Sequence, residues 1–203
     1  MNTNEPNSES FDEQQSLQVI REMIRVSHKK LKNDGILFIV WGWIMFYVYI
    51  ASYISSTAVL TFPLRKILNY GGYAIGIMGL AFTIYYIIKQ HQKVQTYIGI
   101  SLRYVWITLV ICLMLINLIE ANVLHKIIFE LQHPIFMMFI ANAIIITGGI
   151  LRYRMMIAGG IVFGILAYLG SYLSLQNQLL AEAAAWLIAF IIPGHILFSK
   201  RKS

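Results

Sequence analysis

From Gly35 onward the chain is filled by six apolar stretches, each close to the length of about 20 residues that a helix needs to cross a hydrocarbon core of about 30 Å. They are Gly35–Ser55, Leu68–Ile88, Arg103–Ile119, Pro134–Leu151, Met155–Leu175 and Leu179–Phe198. This pattern predicts an all-α, polytopic membrane helical bundle with six transmembrane helices. Most of these residues therefore report the lipid around them rather than an activity. The third and fourth runs are the shortest, and their ends are expected to snorkel or to thin the bilayer locally. Pro134 is placed in the first turn of its helix, where a missing N–H costs nothing.

Charge supports the same class. Charged residues make up 12% of the chain and hydrophobic ones 58%, against roughly 25% charged in soluble domains. The formal net charge is +7, but the basic residues sit in short clusters between apolar runs, where they set topology and attract anionic lipid; no nucleic-acid partner is expected. Arg21, Arg25, Lys29, Lys30, Lys32, Lys89, Lys93, Arg103, Arg152, Arg154, Lys200, Arg201 and Lys202 fall on one side, and Arg65, Lys66 and Lys126 on the other. That bias places both termini in the cytoplasm. Beyond Asp34 the only acids are Glu120, Glu130 and Glu182, all assigned to the outer face.

Residues 1–9 read as a disordered polar tail, not a cleavable leader. Ser10-Phe11-Asp12-Glu13 has the form of a capping box. It opens a cytoplasmic amphipathic helix over residues 10–34, with Leu17, Ile20, Met23, Ile24 and Leu31 near helical spacing. Asn33-Asp34-Gly35 is expected to stop or bend it before the membrane domain, residues 35–198. A basic tail, 199–203, follows. The apolar face of this helix is the expected docking surface for a cytoplasmic protein partner. The outer connection Glu120–His133 reads as a short helix on the outer leaflet, and Arg152-Tyr153-Arg154 as a tight hairpin.

Ser16-Leu17, Ile20, Met23-Ile24, the basic stretch and a span opening near Trp41-Gly42-Trp43 resemble a family of small bacterial inner-membrane proteins of unassigned activity. The resemblance covers about the first 45 residues. It implies a bacterial inner (cytoplasmic) membrane location and carries over no functional residue.

Four residues are candidate binding positions: Glu182, Asn142, Glu130 and His133. Glu130 and His133 have the Glu-x-x-His spacing that puts a carboxylate and an imidazole on one helical face, with His125, Glu120 and Glu182 on the same side of the membrane. Di-metal bundles use two copies of that spacing; here there is one, so no metal, cofactor or catalytic residue is assigned. The simpler alternative is an i,i+4 pair of Lys126 with Glu130 in the headgroup region. Glu182 lies just inside the last span, either as an ion-coupling carboxylate or as an interfacial residue that snorkels or pairs. Asn142, mid-span, is expected to bond a neighbouring helix. Cys112 is alone and makes no disulfide.

Gly72 with Gly76, and Gly160 with Gly164, form two GxxxG pairs, and Ala181, Ala185 and Ala189 line one face of the last run; these are expected contacts within the bundle or across a homodimer. Pro193-Gly194-His195 is expected to kink and end the last span. Phosphate-loop, zinc-pair and nucleophile-elbow motifs are absent. The leading functional expectation is a sensory, regulatory or scaffolding membrane protein. A small transporter or channel comes second, and a membrane enzyme using the outer Glu/His group third.

Overall fold

In lipid each backbone N–H and C=O must be satisfied within the protein, and a helix does this inside one segment. The structure, a computed structural model, describes residues 8–59, 61–91 and 97–199. Among them there are helices and no strand: α1 Ser8–Thr57, α2 Phe62–His91, α3 Tyr97–Leu124, α4 Phe129–Ile150, α5 Arg154–Gly170, α6 Leu175–Trp186 and α7 Ile192–Ser199, the last two joined by a π-helical turn, Leu187–Ile191. Five helical segments are long and apolar enough to cross a membrane: Ile36–Thr57, Phe62–Tyr86, Ile98–Leu124, Phe129–Ile150 and Leu175–Ser199. Ile77, Met114 and Ile165 stand among many large apolar side chains on the outside. So extensive an apolar exterior fits a multi-pass membrane protein.

Several elements differ in length or boundary from the expectation. The fifth apolar run folds as α5, whose 17 residues span only about 25 Å. By length it falls short of the other five. The third run needs no thinning, because α3 extends to 28 residues. No break occurs at Asn33-Asp34-Gly35; α1 is one helix of 50 residues, so residues 10–34 are not a separate element. Leu17 is exposed, while the side chains of Ile20, Met23, Ile24 and Leu31 lie outside the described residues, as do residues 1–7 and 200–203. The outer connection holds no surface helix either. Instead α3 runs on to Leu124, the chain turns at His125 (φ 50°), and α4 starts at Phe129.

The α4–α5 hairpin is as tight as expected. Arg152 takes the left-handed conformation (φ 52°). The Tyr153 N–H then reaches the Gly148 carbonyl (2.9 Å) and the Arg152 N–H that of Gly149 (3.1 Å), closing the helix end. The two helices press backbone to backbone. A Cβ on Gly148 would lie 2.9 Å from the Ile157 nitrogen, and one on Gly160 would lie 3.1 Å from the Ile145 nitrogen and 3.2 Å from the Ala141 oxygen. Gly164 faces Ala141 in the same seam. The Gly160–Gly164 pair is therefore occupied within the chain rather than by a second copy.

The same device joins the other central helices. Gly159 sits against Ala189, and Gly42 against Phe190 and Ile191 of the π turn. Around these contacts lies the core: Phe163, Ile144, Met137, Ala185, Trp186 and Phe190 are buried, with Trp186 and Phe163 edge to face at 5.6 Å. The last helical segment is 56% buried and α2 only 6%, so α2 is the outermost span. Pro193 does not end the last span, which continues to Ser199. The π turn just before it is the expected accommodation of a residue that cannot donate its N–H.

Candidate functional site

The connections put the C-terminal ends of α1, α3 and α5 and the N-terminal ends of α2, α4 and α6 at one end of the bundle. Among the described residues four of the five buried polar side chains, Glu120, Gln132, Gln178 and Glu182, gather there, while Thr147 lies toward the other end of α4. Glu182, two turns into α6, is 1% exposed, and its Oε2 lies 2.7 Å from Nδ1 of His133 in α4. His133 keeps 19% of its side chain exposed, so the imidazole links the buried carboxyl to the bundle surface. Tyr49 of α1 turns its ring edge to His133 (6.2 Å, 69°). Its hydroxyl lies close to Glu182 and Trp186, while Glu182 Oε1 and Trp186 Nε1 form no hydrogen bond.

One helical turn before Glu182 is Gln178, also 1% exposed. Its amide Nε2 donates to the Glu130 carbonyl (2.9 Å) and to the Leu173 carbonyl (3.1 Å). The reason lies in Pro134. It sits inside α4, beyond the first turn where the sequence placed it, and it cannot supply the N–H that would normally satisfy the carbonyl four residues back. That carbonyl belongs to Glu130. Gln178 fills the position from a neighbouring helix.

A third link joins α3 to α4: Gln132 Nε2 donates to Asn117 Oδ1, while Asn117 Nδ2 donates back to Leu113 O (2.8 Å). Glu120, three residues along α3, is 6% exposed, and both its oxygens lack a partner, as does Gln178 Oε1. Buried acceptors without donors cost about 1–3 kcal/mol each. Their concentration at one end sets this region apart from the apolar remainder.

Of the four candidate residues, the fold unites Glu182 with His133 and separates the other two. The Glu130 side chain is exposed, and only its backbone carbonyl joins the site. Lys126 precedes α4, so its expected helical pairing with Glu130 does not form. Asn142 is exposed and donates to Met138 O of its own helix (3.0 Å) instead of bonding a neighbour. Among the described residues no three His, Cys, Asp or Glu side chains converge in a way that could hold a metal ion.

The sequence reading missed Tyr49, Gln178, Gln132 and Asn117. Two signals were available. Gln178 precedes Glu182 by four residues and shares its helical face, and Gln132 adjoins His133 ahead of an apolar run. Tyr49 offered none, because a tyrosine in an apolar span looks like lipid-facing bulk. No family model, curated protein or solved structure matches the chain.

Proposed function

We propose that the protein is a sensory or regulatory multi-pass protein of the bacterial inner membrane, with six spans and both termini cytoplasmic, whose responsive element is the Glu182–His133 pair. The observation that supports this reading is the placement of that pair. One partner is fully enclosed and the other reaches the surface at the end assigned to the outside. Ionisable groups within membrane segments are costly, and those retained there mark functional positions.

With one proton between them, Nδ1 and Oε2 make a strong bond in a dry setting. A second proton converts the carboxylate to a neutral acid and leaves an imidazolium without a counter-charge. Glu182 is enclosed and stays. His133, partly exposed, carries its charge outward to the headgroups. The clasp between α4 and α6 opens, and α6 leads through Trp186 directly into the π turn that packs on Gly42 of α1. The surrounding groups are Tyr49 from α1 and Gln178 and Trp186 from α6. The 50-residue α1 is the element that carries such a change across the membrane, and its N-terminal portion is where a cytoplasmic partner reads it.

The test uses the full chain in vesicles, with Cys112→Ser and spin labels on cysteines at Ser56 and Ser174, both exposed at the responsive end. Acidification from about pH 8 to about pH 5, the range over which histidine charges, should shift the label distance in the parent and not in Glu182→Gln. An unchanged distance in the parent refutes the proposal. Solute or proton flux that requires Glu182 replaces it with the transporter reading.

A further inference from the structure

We infer that the crevice between α1 and α2 is a binding site for an anionic phospholipid, its phosphate held at Lys66 and one acyl chain lying over Gly72 and Gly76. The crevice has a volume of about 760 Å³ and runs from Lys66, Ser52 and Tyr70 at one end to Trp41 and Leu80 at the other. It exists because α2 touches α1 only in places. Trp41 Nε1 donates to Thr83 Oγ1 (2.9 Å), and Gly79 sits hard against Ile44. Higher up the contact is looser: a Cβ on Gly71 would meet only the tip of Tyr47 (3.0 Å), one on Gly72 only Val48 at 3.7 Å, and one on Gly76 nothing within 4 Å.

The occupant follows from the lining. Apart from its end, the crevice is apolar and lies within two segments long enough to span the membrane, so a hydrocarbon chain is the matching solute. From Lys66 to Leu80 the α2 axis covers about 21 Å, more than the roughly 15 Å of one leaflet's hydrocarbon. Lys66 stands at the headgroup end. Its ammonium lies 4.5 Å over the Phe62 ring and forms no ion pair among the described residues. The acids of this end, Glu120, Glu130 and Glu182, belong to α3, α4 and α6 rather than to the helices of the crevice. A cation above an apolar channel fits a phosphate above an acyl chain.

A second copy of the chain fits less well. A two-fold dimer through the Gly72–Gly76 face is isologous, so Lys66 would approach its own copy and set like charge against like.

The site is separate from the Glu182–His133 pair and is tested separately. The full chain is placed in nanodiscs of mixed phosphatidylglycerol and phosphatidylcholine, and retained lipid is counted by native mass spectrometry. The parent should retain phosphatidylglycerol preferentially. Lys66→Ala, an exposed change that leaves packing intact, should reduce that preference about fivefold while a lipid is still retained. Gly76→Leu should lose retention of both lipids by filling the channel floor. Equal retention of the two lipids by the parent, or an unchanged preference in Lys66→Ala, overturns the inference. So does efficient disulfide crosslinking of Gly76→Cys between chains in membranes, which would assign the crevice to a second copy.

Discussion

Removing the imidazole from His133 tests the site most directly, because the structure fixes what remains. Glu182 is 1% exposed, its Oε1 forms no hydrogen bond, and its Oε2 bonds His133 at 2.7 Å, with the Tyr49 hydroxyl close by. His133→Ala strips that partner and leaves a buried carboxyl with only the Tyr49 hydroxyl beside it. Two magnitudes are in competition. A neutral hydrogen bond between membrane helices contributes about 0.6 kcal/mol on average. Breaking a buried ion pair by deleting one partner costs about 3–5 kcal/mol, since the surviving charge is uncompensated. The pair is short and enclosed, and the proposed switch takes it as a carboxylate with an imidazolium, the form that the larger figure describes. His133→Ala is therefore expected to destabilise by about 3 kcal/mol or more near neutral pH. Adding Glu182→Leu to it should recover much of the loss, because an apolar residue of similar size leaves no unpaired charge. Unfolding in mixed micelles, measured for the parent, both single variants and the double variant, gives the coupling energy. A double variant no more stable than His133→Ala, with a coupling near zero, would refute the reasoning. A coupling of about 0.6 kcal/mol would identify a neutral hydrogen bond and remove the charge from the proposed switch.

The two GxxxG pairs should respond in opposite ways. Gly160→Ala is expected to cost about 1–3 kcal/mol of stability, since its Cβ would meet the Ile145 and Ala141 backbones, whereas Gly76→Ala should be neutral or gain up to about 1 kcal/mol from helix propensity; the same unfolding assay reads both. Gln178→Leu should cost about 1–3 kcal/mol by leaving the Glu130 carbonyl without a donor, and Pro134→Ala in that background should recover stability by restoring the N–H; a Pro134→Ala change that gives the same effect with Gln178 present would mean that the amide is not acting as the substitute.

What was legible in the sequence was whatever depends on one helix alone. Apolar length gave five helices long enough to cross a membrane and a sixth, α5, that is shorter, and the closeness of Arg152 to both neighbouring runs gave the hairpin. Glu182 stood out because a carboxylate in an alanine-rich apolar run is conspicuous. Features that depend on two helices were not legible. The Glu130–His133 spacing looked like a site because the two share a helical face, yet the partner of His133 comes from a helix 49 residues away. Asn142 looked like glue because it sits mid-span, but its face turns outward, and nothing in a single periodic run tells which face will be covered. Gly72–Gly76 and Gly160–Gly164 are the same motif in sequence and opposite environments in structure. Glycine permits close approach without requiring it. Local rules also failed at α1, where Asn-Asp-Gly is a weak stop and the helix continues through it.

The uneven use of glycine has a mechanical consequence. Where Gly148, Gly159, Gly160 and Gly42 bring backbones together, α4, α5, the π turn and α1 are locked at distances that no side-chain rotation can relax. Close packing makes such contacts resist small displacements and favours discrete rearrangement over gradual bending. The Glu182–His133 clasp and the Gln178 bridge lie beyond that locked zone, at the end where side-chain amides and carboxyls replace glycine contacts between α4 and α6. Pro134 separates the two regimes within α4. On its far side the helix is held by glycine packing, and on the near side the turn carrying His133 has lost its own backbone bond and depends on α6. In the proposed switch a change of charge at the clasp acts on the turn of α4 that glycine packing does not hold, which side chains of α3 and α6 hold instead. The first rigid element that receives the motion is α6, which packs on α1 directly and again through the π turn at Gly42.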